Sequence, residues 1–206
     1  QYSPTSEEGK VTKSTPFGSI DHPFNPLSVA LGAEASFVAR THDLDRKHMM
    51  ATFKAAHAHK GASFVEVYQN CNVFNDGAFD DVTGKQAREE MMIDLVHGQP
   101  IRFGADGHKG VTMGTDGQLR IVEVAEVGEA ALLVHDAQRH DPGLAFALAR
   151  LSHDDHSPTP FGIFRDVPRG DYGSMVAAQV LQASQKKGPG DLGALLRSGG
   201  TWQVGG

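Results

Sequence analysis

Between positions 26 and 69 the chain reads helix, strand, helix, strand, and this order places it in the α/β class. Asn25 offers an N-cap and Pro26 suits the first helical position, so a short helix runs from Pro26 to Gly32. Ala35-Ser36-Phe37-Val38-Ala39-Arg40 is a run suited to a buried strand. Thr41-His42-Asp43 supplies capping oxygens for a longer helix, Leu44 to His59. In that helix Met49, Phe53 and Ala56 fall on one face, and Lys60-Gly61 closes it. Ala62 to Tyr68 is the second strand. Two strands joined by a helix make a βαβ unit, which implies parallel pairing. Parallel strands covered on both faces show as continuous apolar runs, as these two do.

Beyond residue 75 the pattern changes. Asn75-Asp76-Gly77-Ala78-Phe79-Asp80-Asp81 is a turn-rich acidic loop. Met91 to Leu95 and Pro100 to Phe103 suggest short strands. Gly104-Ala105-Asp106-Gly107 and Thr115-Asp116-Gly117 bracket a glycine-rich hairpin. Gln118 to Val124 alternates like a half-exposed strand, and Ala131 to Val134 suggests another. His140-Asp141-Pro142 caps a helix over Gly143 to Leu151, and Phe161-Gly162-Ile163-Phe164 forms a last strand. Tyr172 to Gln185 and Asp191 to Leu196 read as helices. Residues 1–25, rich in Ser, Thr, Pro and Gly, form a long irregular segment, the kind that is more often functional than ornamental when ordered.

Chemistry concentrates at one point. Cys71 is the single cysteine of 206 residues, and it follows directly on the Ala62–Tyr68 strand. The carboxyl ends of strands in α/β proteins are where ligands and cofactors bind. Cys71 is therefore a candidate metal or cluster ligand, with a buried, inert thiol as the alternative. The 11 histidines offer less. His57 and His59 project from opposite sides of a helix, and His153 and His156 precede a Pro-rich loop. His135-Asp136 and His140-Asp141 are explained by capping and solvation. No Walker, HExxH or GxSxG motif is present. Pairing Cys71 with any of 11 histidines as a catalytic dyad is unconstrained.

Charge and composition exclude some partners. The formal charge of −6 argues against nucleic acid and anionic membranes. No apolar run approaches the ~18 residues needed to span a bilayer. One cysteine makes no internal disulfide, which suits a reducing cytoplasm.

Several segments resemble a known family. Gln1-Tyr2-Ser3-Pro4-Thr5-Ser6, with Thr15-Pro16-Phe17-Gly18, resembles the loop after the thiamine-diphosphate motif in β subunits of 2-oxoacid:ferredoxin oxidoreductases. Val65-Glu66-Val67-Tyr68-Gln69-Asn70-Cys71-Asn72-Val73-Phe74-Asn75 resembles the same subunits at their fourth cluster cysteine. Asp80 to Gly98, Pro100 to Gly104 and Gly162-Ile163-Phe164-Arg165 resemble the carboxyl-terminal region of the 2-oxoglutarate-type members. The resemblance implies an α/β fold: the second half of a thiamine-diphosphate-binding domain with parallel strands over residues 1–75, then an α/β carboxyl-terminal extension with a small hairpin region over 76–206. It implies three cofactors, thiamine diphosphate, Mg²⁺ and a [4Fe–4S] cluster. Cys71 would be a cluster ligand, Gln1, Ser3, Pro4 and Thr5 would lie near the thiamine diphosphate, and Asn70 and Asn72 would tune the cluster by hydrogen bonding.

The implied partners are an α subunit, ferredoxin, a 2-oxoacid and coenzyme A, with Lys10 and Lys13 candidates for a ferredoxin-facing patch. The implied reaction is oxidative decarboxylation of a 2-oxoacid, by preference 2-oxoglutarate, to an acyl-CoA. The other three cluster cysteines and the Gly-Asp-Gly motif of the family are not in these 206 residues. The chain is thus expected to be the carboxyl-terminal part of a longer subunit, inactive alone. A non-catalytic module that retains half of the fold for subunit interaction is the alternative.

Overall fold

The computed structural model describes all residues except Gln1, Phe74, 152–156, Gln203 and Gly206. Two compact units result, residues 1–169 and 170–206.

The first unit is built on a four-stranded sheet in the order β2-β1-β7-β3. Its strands are β1 (Phe37–His42), β2 (Ser63–Tyr68), β3 (Met92–Leu95) and β7 (Thr159–Asp166). β1 and β2 pair in parallel, as the βαβ reading requires, and β3 pairs with β7 in parallel. β7 enters antiparallel beside β1, so the sheet is mixed, and residues from both sides of position 75 share it. The register slips between Val38 and Ala39, opposite Phe164. Gly162 sits close by at φ +109, where an added Cβ would lie 2.8 Å from the Leu95 carbonyl oxygen. Only glycine allows β7 to run this close to β3.

Helix α1 (Pro26–Gly32) forms as its caps dictate: Asn25 accepts from the Ser28 amide at 3.0 Å, and Pro26 leads the first turn. It buries Leu27 and Leu31 completely. Helix α2 (Arg46–Ala58) starts two residues later than the spacing suggests. Thr41 and His42 belong to β1, and Asp45 caps the helix by accepting from the Lys47 and His48 amides. Its buried position is Thr52, with Met49 and Ala56 half-buried; Phe53 faces solvent. Two one-turn helices, α3 (Asp80–Thr83) and α4 (Arg88–Met91), lead into β3.

A second sheet, β4 (Arg102–Phe103), β5 (Lys109–Met113) and β6 (Leu119–Glu123), is the antiparallel meander expected from the glycine-rich turns. A short helix, α5 (Val124–Val127), follows. Residues 131–134 form no regular strand: a 3₁₀ turn ends at Ala131, and a single bridge joins Pro100 to Val134. Two 2.8–2.9 Å bonds, Leu133 N to Val111 O and Ile101 N to Leu133 O, still lash this segment to the meander.

Helix α6 (Gly143–Arg150) packs with α1 in one apolar core: Leu27, Leu31, Val38, Ile93, Leu148 and Phe164. Burying each such side chain stabilises the fold by about 1.5–3 kcal/mol. The second unit consists of α7 (Tyr172–Lys187), capped by Asp171, and α8 (Leu192–Arg197), capped by Asp191.

Candidate functional site

The registers place the carboxyl ends of β1 and β2 beside the amino ends of β7 and β3: His42 lies opposite Tyr68, and Met92 opposite Thr159.

Cys71 lies three residues past the end of β2, half-buried, in a tight turn closed by the Asn75 amide donating to the Cys71 carbonyl at 2.9 Å. Asn70 fixes that turn. Its amide N–H donates to Asp43 Oδ2 at 3.1 Å, its Nδ2 donates to Asp76 Oδ1 at 2.9 Å, and its Oδ1 accepts from the Gly77 amide at 2.9 Å. Asn70 therefore braces the loop that carries the thiol. Its side chain bonds Asp76 and Gly77.

Beneath the edge, Arg40 is 2% exposed. Its Nε donates to Glu66 Oε2 at 2.6 Å and its Nη1 to the Pro160 carbonyl at 3.2 Å, while the guanidinium lies 5.0 Å from the Tyr68 ring centroid. The ion pair crosses between neighbouring strands, since Arg40 and Glu66 are direct register partners. One charge in each of two apolar strands, at matching distance from the strand ends, is the signal from which it could have been read.

A cleft of about 610 Å³ opens on the other side of β1, lined among others by His42, Asp45, His48, Lys85, Arg88 and Asp94. His42 packs edge-on against Phe161, and its Nδ1 is buried without a hydrogen-bond partner. Burial, with the neighbouring His48, lowers its pKa against the pull of Asp45, Asp43 and Asp94. Burial also lowers that of His135, offset in part by the Nε2 bond to the Ile163 carbonyl.

The sign of the pH effect follows. The unfolded chain takes up both protons near pH ~6.5, and the folded chain only at lower pH. Their contribution is complete above about pH 6.5 and is lost as the pH falls toward the folded values. Denaturant titrations are expected to show stability declining from about pH 7 to about pH 5.5, and His42→Phe is expected to flatten part of that slope. An unchanged slope would remove His42 from this account.

The other histidines are structural or solvated among the described residues. His59 is buried against Ser36 and Asp166, at 2.9 and 2.7 Å, and His57 is exposed. His135 bonds the Ile163 carbonyl rather than Asp136. His153 and His156 lie outside the described residues, as does Gln1.

In the amino-terminal segment the Ser3 hydroxyl lies 3.0 Å from that of Thr5 and 3.3 Å from that of Ser6, and the Phe24 amide donates to the Pro4 carbonyl at 2.7 Å. The Tyr2 hydroxyl bonds Asp21, whose carboxylate raises the phenol's pKa. Lys10 is paired with Glu7 at 2.7 Å. Thr5 shares a small cavity of about 180 Å³ with Arg40, Glu66, Tyr68 and Phe79, so the segment reaches the strand that delivers Cys71. Ser3 and Pro4 line a separate hollow with Tyr2 and Asp21. Among the described residues, no group of three or more His, Cys, Asp and Glu could hold a metal ion. No helix among them is long and apolar enough to cross a membrane.

No protein-family model matches the chain. It is 48% identical over 206 residues to the 2-oxoglutarate oxidoreductase subunit KorB of Mycobacterium tuberculosis, covering 99% of this chain and 55% of that protein. Over 76 residues, 37% of this chain and 25% of the relative, it is 40% identical to a 2-oxoacid:ferredoxin oxidoreductase subunit beta of Saccharolobus solfataricus. The chain thus spans about half the length, or less, of the curated relatives it matches. The structure superposes, with a TM-score of 0.62 and 19% identity, on 2-oxoglutarate:ferredoxin oxidoreductase from Magnetococcus marinus, solved with 2-oxoglutarate, coenzyme A and succinyl-CoA bound. It covers 98% of this chain and 53% of that one, and shows a shared fold. Across essentially all of its length, the chain is therefore similar to about half of a 2-oxoacid:ferredoxin oxidoreductase β subunit of the 2-oxoglutarate type.

Proposed function

We propose that the chain works as part of the β subunit of a 2-oxoglutarate:ferredoxin oxidoreductase, which decarboxylates the 2-oxoacid oxidatively to an acyl-CoA and passes the electrons to ferredoxin. The observation that carries this reading is 48% identity sustained over 99% of the chain. In this reading an α subunit, ferredoxin, the 2-oxoacid and coenzyme A are its partners.

Of the implied cofactors, the [4Fe–4S] cluster fits one residue. Cys71 supplies a thiolate, the usual cluster donor, from a turn held at three points by Asn70. The remaining ligands lie outside these 206 residues, which contain no other cysteine. When bound, such a cluster takes up and releases single electrons. The part of this chain is to present the thiolate, with Asp43, Asn70 and Asp76 fixing its loop against β1. Ser3, Pro4 and Thr5, with Gln1, border the thiamine-diphosphate site in this reading. Alone they do not form a diphosphate or Mg²⁺ site: the Ser3 and Thr5 hydroxyls face each other, and no metal-holding acidic group is gathered among the described residues. No step is derived through that cofactor.

Cys71→Ser in the full-length subunit, purified without oxygen together with its α subunit, is the test. The variant is expected to lose the cluster's visible absorbance and bound iron while keeping its far-ultraviolet circular dichroism. Full retention of the absorbance would remove Cys71 from the ligand set.

A further inference from the structure

Tyr68, the last residue of β2, stacks on Phe79 with ring centroids 4.2 Å apart and planes 17° from parallel. The Cys71 turn lies between these two rings in the chain. The same stretch closes on itself at further points. Cys71 and Asn75 form an antiparallel bridge, and the Asn70 side chain reaches both Asp76 and the Gly77 amide. The Asp80 amide donates to the Gly77 carbonyl at 3.1 Å. Gly77 turns the chain back toward Tyr68 at φ +76, a conformation that favours glycine.

The two rings differ in how they are held. Tyr68 is anchored from below: the edge of Phe161 meets it at 5.5 Å, and the Arg40 guanidinium lies 5.0 Å from its centroid. Both of those side chains are fully buried. Phe79 is half-buried and stands outside the main apolar core. Its ring therefore contributes little to the core and ties its own loop to β2. At the apex of that loop Asn72 and Val73 are exposed, so the loop is held from its base. Tyr68 and Phe79 also border the 180 Å³ cavity that Thr5 and Phe24 line from the amino-terminal segment.

We infer that Phe79 is a positioning residue for the Cys71 thiolate. Its ring, stacked on Tyr68, shuts the base of the loop and holds the thiol at the sheet edge before any iron arrives. A ligand fixed in advance loses little freedom on binding, and one locked by packing is slow to swing away. This role presupposes Cys71 as a cluster ligand, as proposed above.

The test uses the full-length subunit with its α subunit, purified without oxygen. Loss of iron to a chelator is followed by the bleaching of the cluster's visible absorbance. Phe79→Leu is expected to lose iron about three- to tenfold faster, the range that one stacked aromatic pair supports. Phe79→Tyr, which keeps the ring, should match the wild type. Leu148→Ala opens a cavity in the core under α6 and should lower the urea midpoint without changing the rate of iron loss. A wild-type rate in Phe79→Leu, or equal acceleration in Leu148→Ala, overturns the inference. Amide exchange at Asn75 and Gly77 in the iron-free assembly should speed up in Phe79→Leu and stay at the wild-type rate in Phe79→Tyr. Unchanged exchange in Phe79→Leu overturns the clamp as well. The exchange measurement involves no iron, so its outcome is independent of the outcome of Cys71→Ser.

Discussion

Arg40→Ala is expected to cost about 3–5 kcal/mol of folding stability, the typical loss when one partner of a buried ion pair is removed. Arg40 is among the largest fully buried side chains, and Glu66 is only 15% exposed. Without the guanidinium, the Glu66 carboxylate keeps its desolvation cost and loses the 2.6 Å bond that offsets it. The Pro160 carbonyl loses its donor, and the rings of Tyr68 and Phe164 lose the cation stacked between β1 and its neighbours. A charge-free pair, Arg40→Met with Glu66→Leu, should recover most of the loss, because apolar side chains of similar volume replace a buried pair at little net cost. Urea unfolding of the three proteins decides. A single-variant loss below about 1 kcal/mol would mean the pair is hydrated and contributes as a surface bridge does.

Phe161→Ala is the second large effect, expected at about 3–5 kcal/mol. Phe161 is fully buried and meets two rings edge-on, His42 at 5.3 Å and Tyr68 at 5.5 Å. These are the last residues of β1 and β2, so the cavity would open directly under the edge that carries the Cys71 turn. The substitution should therefore loosen that turn as well as the core. Amide exchange at Asn70 and Gly77 is expected to accelerate along with global unfolding, and faster exchange confined to β7 would contradict a shared support.

The sequence shows more of the scaffold than of the site. The βαβ unit is legible because both strands are unbroken apolar runs and the caps around α1 have strong local preferences. The hairpin region is legible from its glycine-rich turns. Three features are not. β7 pairs antiparallel with β1 across more than 100 residues, and no local pattern encodes that choice. The start of α2 moved because Thr41 and His42 extend β1, leaving the cap to Asp45; tertiary pairing overrode a plausible local cap. Phe53 faces solvent because the helix turns Thr52 inward, where its hydroxyl donates to the His48 carbonyl at 3.0 Å. At the site, the position of Cys71 after a strand was readable. Its bracing by Asn70 and Asp43, and the assembly of the cleft around His42, depend on loops meeting in space.

One assay addresses directly whether this sequence serves a 2-oxoglutarate:ferredoxin oxidoreductase. The full-length subunit, purified anaerobically with its α subunit, should reduce ferredoxin when given both 2-oxoglutarate and coenzyme A, and not when either is omitted. An assembly that contains intact Cys71 and bound iron yet reduces no ferredoxin with 2-oxoglutarate would contradict the assignment.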